Sequence, residues 1–152
     1  MIKKILIISL IFFGINQCGY SPIFSINQNE NLNIKITEIT GDEYINNYIK
    51  RRLNRYTETK NKEIKIKINS KYNKSVITKD KQGNASSFEL RLTINFVTEQ
   101  NGEIDSINFS YTQNINMNSL NNKIEEDRYE KDMKEMLADS IINQAIQRLS
   151  YN

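Results

Sequence analysis

The sequence predicts an α+β domain: a two-layer sandwich with a mostly antiparallel or mixed four-stranded sheet and two helices packed on one face. Three observations carry this prediction. Apolar residues alternate at period two in some stretches and recur at helical spacing in others, in the order strand, helix, strand, strand, strand, helix. Each predicted strand is apolar on one side only, so the sheet needs a single cover. Two amphipathic helices supply it. The chain has 152 residues, enough for one domain with a real core.

The first strand is signalled by Leu32, Ile34 and Ile36 alternating with Asn33, Lys35 and Thr37. Thr40 to Glu43 then has the spacing of a capping box, with Asp42 as a rival N-cap. In the helix that follows, Tyr44, Ile45, Tyr48, Ile49, Leu53 and Tyr56 share one face. Asn46, Asn47, Lys50, Arg51 and Arg55 are expected to face away, as a solvated surface. Glu63 to Tyr72 returns to period two, with Ile64, Ile66 and Ile68 on one side and Lys65, Lys67 and Lys71 on the other.

Asn73 to Ser86 reads as a loop, with a short extended start at Val76-Ile77. Phe88, Leu90, Leu92, Ile94 and Phe96 mark the next strand. Asn101-Gly102 is a strong hairpin signal, and Ile107, Phe109, Tyr111 and Ile115 mark the returning strand. Asn118 to Asn122 is a polar hinge. From about Ile124 the pattern is helical to the end, with Tyr129, Met133, Met136, Leu137, Ile141, Ala145 and Leu149 on one stripe. Glu125, Glu126 and Asp127 suit the start of that helix and Arg148 its end, as the macrodipole prefers. The other sheet face, lined by Lys, Thr, Asn, Ser and Arg91, is expected to stay open.

Ahead of this domain, Lys3 and Lys4 precede an apolar run from Ile5 to Ile15, and Cys18 follows. A basic head, an apolar run and a short processing zone make the layout of a secretory signal peptide. The run is about half of the ~20 residues that a membrane-spanning helix needs. Cys18, the only cysteine, stands where a bacterial lipoprotein is cut and acylated. Residues 1–17 are therefore read as the signal peptide, 18–31 as a lipidated strap and linker, and 32–152 as the domain. Pro22, the only proline, biases the strap to an extended path.

Composition narrows the chemistry. Losing Lys3 and Lys4 with the leader brings the formal charge of +3 close to neutral, which gives no case for a nucleic-acid partner. Histidine is absent, so no imidazole is available as base or metal ligand. With Cys18 acylated, no thiol remains for a metal site or a disulfide. Nothing points to a cofactor. Carboxylates among Glu89, Glu99, Glu103 and Asp105 are the remaining hydrolytic candidates, at positions where exposed charge is ordinary.

The segment Cys18-Gly19-Tyr20-Ser21-Pro22-Ile23-Phe24, together with the element order, resembles the LptE family of lipopolysaccharide-assembly lipoproteins. Members commonly open their mature chain with Cys-Gly-aromatic-x-Pro-aliphatic-aromatic. The resemblance implies a non-enzymatic lipoprotein of the outer membrane, anchored at Cys18. It further implies that the protein plugs an LptD-like β-barrel, assists its assembly and binds lipopolysaccharide. Gly19 after the cysteine fits release to the outer membrane. On that reading Lys71, Lys74, Lys79, Lys81 and Arg91, expected at one sheet end and its loop, are the residues to meet the lipid A phosphates. Two alternatives stand beside it: ordinary solubilising lysines, and a generic outer-membrane lipoprotein that binds another envelope protein through the open sheet face.

Overall fold

The computed structural model describes residues 32–57, 63–99 and 107–150. The signal peptide, Cys18, the 18–31 strap, the Asn101-Gly102 turn, Glu103 and Asp105 lie outside the described residues.

Strand β1 (Asn33–Gly41) leads into helix α1 (Glu43–Leu53) and a 3-10 turn (Asn54–Tyr56). Strands β2 (Glu63–Lys79), β3 (Ala85–Glu99) and β4 (Ile107–Asn118) follow, and helix α2 (Lys123–Ser150) closes the order. The sheet runs β1-β2-β3-β4. β1 pairs parallel with β2 across the α1 crossover, and the other neighbours are antiparallel. The fold is therefore the α+β arrangement with a mixed four-stranded sheet.

Register places the apolar sides together. Ile68, Phe96 and Phe109 lie side by side across three strands, and the two phenyl rings stack with centroids 5.0 Å apart. Leu90, Leu92 and Ile94 are fully buried under the helices, beside Ile45 and Ile49 of α1 and Ile141 and Ile142 of α2. Burying side chains of this size contributes about 1.5–3 kcal/mol each.

β1 breaks its own alternation, because Ile36 is followed by Ile39 instead of an apolar residue at 38. A bulge between Ile36 and Glu38 absorbs the extra residue and returns Ile39 to the apolar side. Thr37 at the bulge donates to the Ile66 carbonyl at 3.3 Å.

Four expectations need correction. Asp42, not Thr40, caps α1: its carboxylate accepts from the Ile45 amide at 2.9 Å. Asn46 turns inward, where its Oδ1 accepts from the buried Ser70 hydroxyl at 2.7 Å. A polar side chain with a buried partner is invisible to a hydrophobic period. On α2, Tyr129 and Met136 point outward, while Ala138, Ile142 and Ile146 join the buried stripe. That stripe is broad because α2 meets both the sheet and α1.

The fourth correction concerns 73–86, which is not a loop. β2 continues to Lys79 and β3 starts at Ala85, leaving a turn at 80–84. Asp80 organises the turn, its Oδ1 accepting from the amides of Gln82 at 2.9 Å and Asn84 at 2.8 Å. Gly83 supplies a positive φ of 89°. The strand was hidden because Lys74 occupies an inward position, where a lysine argues against a strand unless its partners are known.

Candidate functional site at the hairpin end

The β2–β3 hairpin end carries the features that distinguish this surface. Lys79 closes β2 and Lys81 sits in the turn, both exposed and without an ion-pair partner among the described residues. Val76 and Ile77 are each 48% exposed just before them. The end of β4 and the start of α2 belong to the same end of the domain, since Ser119 donates its amide to the Ser86 carbonyl at 3.0 Å. There Leu120 and Ile124 are also exposed, and Lys123 sits between them in sequence. Exposed apolar side chains and ammonium groups thus occur at the same end of the domain and give that end an amphipathic character. Such an end can meet a ligand that is apolar in one part and anionic in another.

The five basic residues named from sequence do not form one cluster. Lys71 lies on the open face in mid-strand, opposite Thr93. Arg91 shares that face, opposite Asn73, but its guanidinium is paired with Glu89 at 2.9 Å. Glu89 also accepts from Asn114 at 3.1 Å, and these two partners, Asn114 first, hold its carboxyl below the ordinary range. Lys79 and Lys81 are at the turn. Lys74 is on the opposite, helix-covered face.

Lys74 belongs to a network that fastens the first half of α2 to the sheet. Its ammonium lies 2.8 Å from Glu130, 3.4 Å from Glu126 and 4.1 Å from the centre of the Phe88 ring. Tyr72 donates to Glu130 at 2.9 Å. Lys134 stacks 4.0 Å over the Tyr72 ring and reaches Glu130 and Asp42, each at 3.7 Å. Burial and the Glu130 bond both push the Tyr72 phenol well above its usual range. Glu130 feels burial as an upward push, but its bonds to Lys74 and Tyr72 outweigh it and leave its carboxyl lowered.

Glu126 anchors the network from inside, at 5% exposure. It accepts from the Ser119 hydroxyl at 2.7 Å and the Leu120 amide at 3.0 Å. These two bonds, joined by Lys123 and Lys74, pull its carboxyl down to about 2. Its role is structural, beyond the dipole preference that the sequence suggested. Glu99, one of the hydrolytic candidates, is an exposed partner of Lys67 at 3.0 Å.

On α1 the basic face is tied to α2. Arg52 lies 2.6 Å from Asp139, and Arg51 stacks over Tyr48 while reaching Glu135 at 3.9 Å. Sequence reasoning missed the apolar part of the hairpin end. Its only sequence sign is that Val76-Ile77 and Ile124 are apolar residues outside any stripe.

Comparison with known proteins bears on the family and the fold. No curated protein matches the chain. Among solved structures, rare lipoprotein B from Shewanella oneidensis superimposes with a TM-score of 0.53 at 16% identity, over 76% of this chain and 96% of that one. A protein from Caulobacter crescentus CB15, classed provisionally as a lipoprotein, gives 0.55 at 11% identity, over 82% and 90%. At these identities the likeness is one of fold. The family model for LptE, described as lipopolysaccharide-assembly, matches residues 25–145, which is most of the chain. This chain belongs to the LptE lipopolysaccharide-assembly family.

Proposed function

We propose that the chain is a lipid-anchored, non-enzymatic partner of an LptD-like outer-membrane β-barrel, and that its hairpin end contacts lipopolysaccharide during insertion into the outer leaflet. The observation that carries the lipid contact is the occurrence of exposed Val76, Ile77, Leu120 and Ile124 at the same end of the domain as Lys79 and Lys81, which have no ion-pair partner among the described residues. Lipid A is itself divided into acyl chains and phosphates. Ammonium groups pair with the phosphates while the apolar side chains sit against the chains.

The open sheet face supports the barrel partnership. Its outward residues are polar throughout most of β2, β3 and β4, including Asn69, Asn73, Asn95, Ser110, Thr112 and Asn116. Such a face suits the water-lined interior of a large barrel. Acylation at Cys18 would hold the domain at the membrane. One acyl chain contributes only about 0.8 kcal/mol per buried methylene, so stable attachment takes two or three.

Substituting Lys79→Gln and Lys81→Gln together is expected to weaken lipopolysaccharide binding about tenfold or more, the equivalent of about 1.4 kcal/mol. The thermal transition should stay near that of the parent, because these side chains are exposed. A folded double variant that binds lipopolysaccharide as tightly as the parent would remove the proposed contact.

A further inference from the structure

A groove of about 660 Å³ runs along the outer edge of the sheet, between β1 and the end of α1 with its 3-10 turn. Ile34, Ile36, Ile39 and Leu53 give it an apolar lining, with the exposed Lys50 and Thr57 at its rim. Ile36 and Ile39 pack against the core yet stay only half-buried. Among the described residues β2 is the only strand beside β1, so no strand covers them from the outer flank. Native proteins cover exposed sheet edges with a loop, a helix or a further strand.

We propose that the strap of the same chain folds back as a hairpin and fills this groove, with Pro22 to Ile26 lying antiparallel along β1. Covalent continuity and side-chain parity select this occupant. The chain enters β1 at Asn33 directly from the strap, and Leu32 at that entry is already buried. Asn27 to Asn31 is a polar run of five residues, a length that closes a hairpin. Turning there sets Ile26 opposite Leu32, Phe24 opposite Ile34 and Pro22 opposite Ile36. Paired residues share a face, so Ile26 and Phe24 join the apolar side of β1 while Ile23 and Ser25 face the open side. The bulge after Ile36 ends regular pairing there, which matches the short stretch from Pro22 to Ile26. Pro22 becomes the first residue of an outermost strand, a position where a proline is tolerated.

Other occupants fit less well. A segment of a partner must displace a strap whose short link holds it at an effective concentration of about millimolar. Residues 58–62 also begin and end at the groove, between Thr57 and Glu63, but they read Glu-Thr-Lys-Asn-Lys and bring no apolar side chain. Folding back holds Cys18 close to the domain, where a fully extended strap would let it stand about 45–50 Å away. The docking itself depends neither on acylation at Cys18 nor on a barrel partner.

The test uses the full chain purified from membranes in mild detergent. Ile23→Cys with Lys35→Cys places two thiols at facing positions of the proposed register, and Lys35 is exposed on the open side. Mild oxidation should join positions 23 and 35 in most molecules, identified as a linked peptide by mass spectrometry. Ile23→Cys with Thr40→Cys should stay reduced, whereas an undocked strap would link both pairs alike. Hydrogen exchange adds a readout that needs no disulfide. Amides of β1 should exchange about tenfold faster in a Phe24→Ser/Ile26→Ser variant than in the parent, with those of β3 unchanged. Equal linking of the two cysteine pairs, β1 exchange that ignores the double serine variant, or β1 protection that appears only when a barrel protein is added would each overturn the proposal.

Discussion

Replacing Gly41 with alanine is expected to destabilise the domain by about 3 kcal/mol or more, because two penalties fall on one residue. Gly41 ends β1 at a φ of 110°, a region that side chains rarely enter. A Cβ there would also lie 1.8 Å from the Ser70 carbonyl oxygen, so backbone would have to move. The displacement would reach further than the turn. Ser70 accepts from the Asp42 amide at 3.0 Å and donates to Asn46, so the strand, the helix cap and the first turn of α1 share one residue. Thermal unfolding should report a fall on the order of 10 °C. Gly83→Ala is the internal control. It has a similar positive φ of 89° but open space around it, so its cost should stay near the backbone term alone, about 1–2 kcal/mol. Equal effects at the two glycines would contradict the packing argument.

Glu126→Ala should cost about 3 kcal/mol, since it strands the Ser119 hydroxyl and the Leu120 amide in a part-buried place and removes one of the two carboxylates that hold Lys74. The same carboxylate makes stability depend on pH, and the sign follows from its lowered value. In the unfolded chain it titrates near 4.5, and in the folded chain near 2. Its contribution is therefore complete above about 4.5 and is lost as pH falls from there towards 2. Urea titrations across that window should show a steeper loss for the parent than for Glu126→Ala. Parallel curves would place the acid sensitivity elsewhere.

Much of the architecture is legible in the residues themselves. The alternation of Leu90, Leu92, Ile94 and Phe96 leaves one choice of buried face, and the helical spacing of Ile45, Ile49 and Leu53 leaves one buried stripe on α1. What escapes is any feature that depends on a distant polar partner. Lys74 argues for a loop until Glu126 and Glu130 are known to lie above it. Asn46 reads as surface until Ser70 is placed beneath it. The bulge at Thr37 is foreshadowed by the step from Ile36 to Ile39, a sign that only pairing with β2 explains.

The candidate site divides in the same way. Lys79 and Lys81 are local to one turn and were readable as a pair. Lys71 and Arg91 reach the open face because of strand parity, and Lys74 the covered face for the same reason. The apolar share of the hairpin end is assembled from β2, the segment after β4 and the start of α2. No short window of sequence contains it.

The central proposal is partnership with an outer-membrane barrel through a lipid anchor at Cys18. Its most direct test is affinity purification of the C-terminally tagged chain from membranes under gentle detergent, with the co-eluting proteins and the mature N-terminus identified by mass spectrometry. The expected result is a large β-barrel protein in stoichiometric amount together with an acylated Cys18. Elution of the chain alone, or with a different envelope protein, would contradict it.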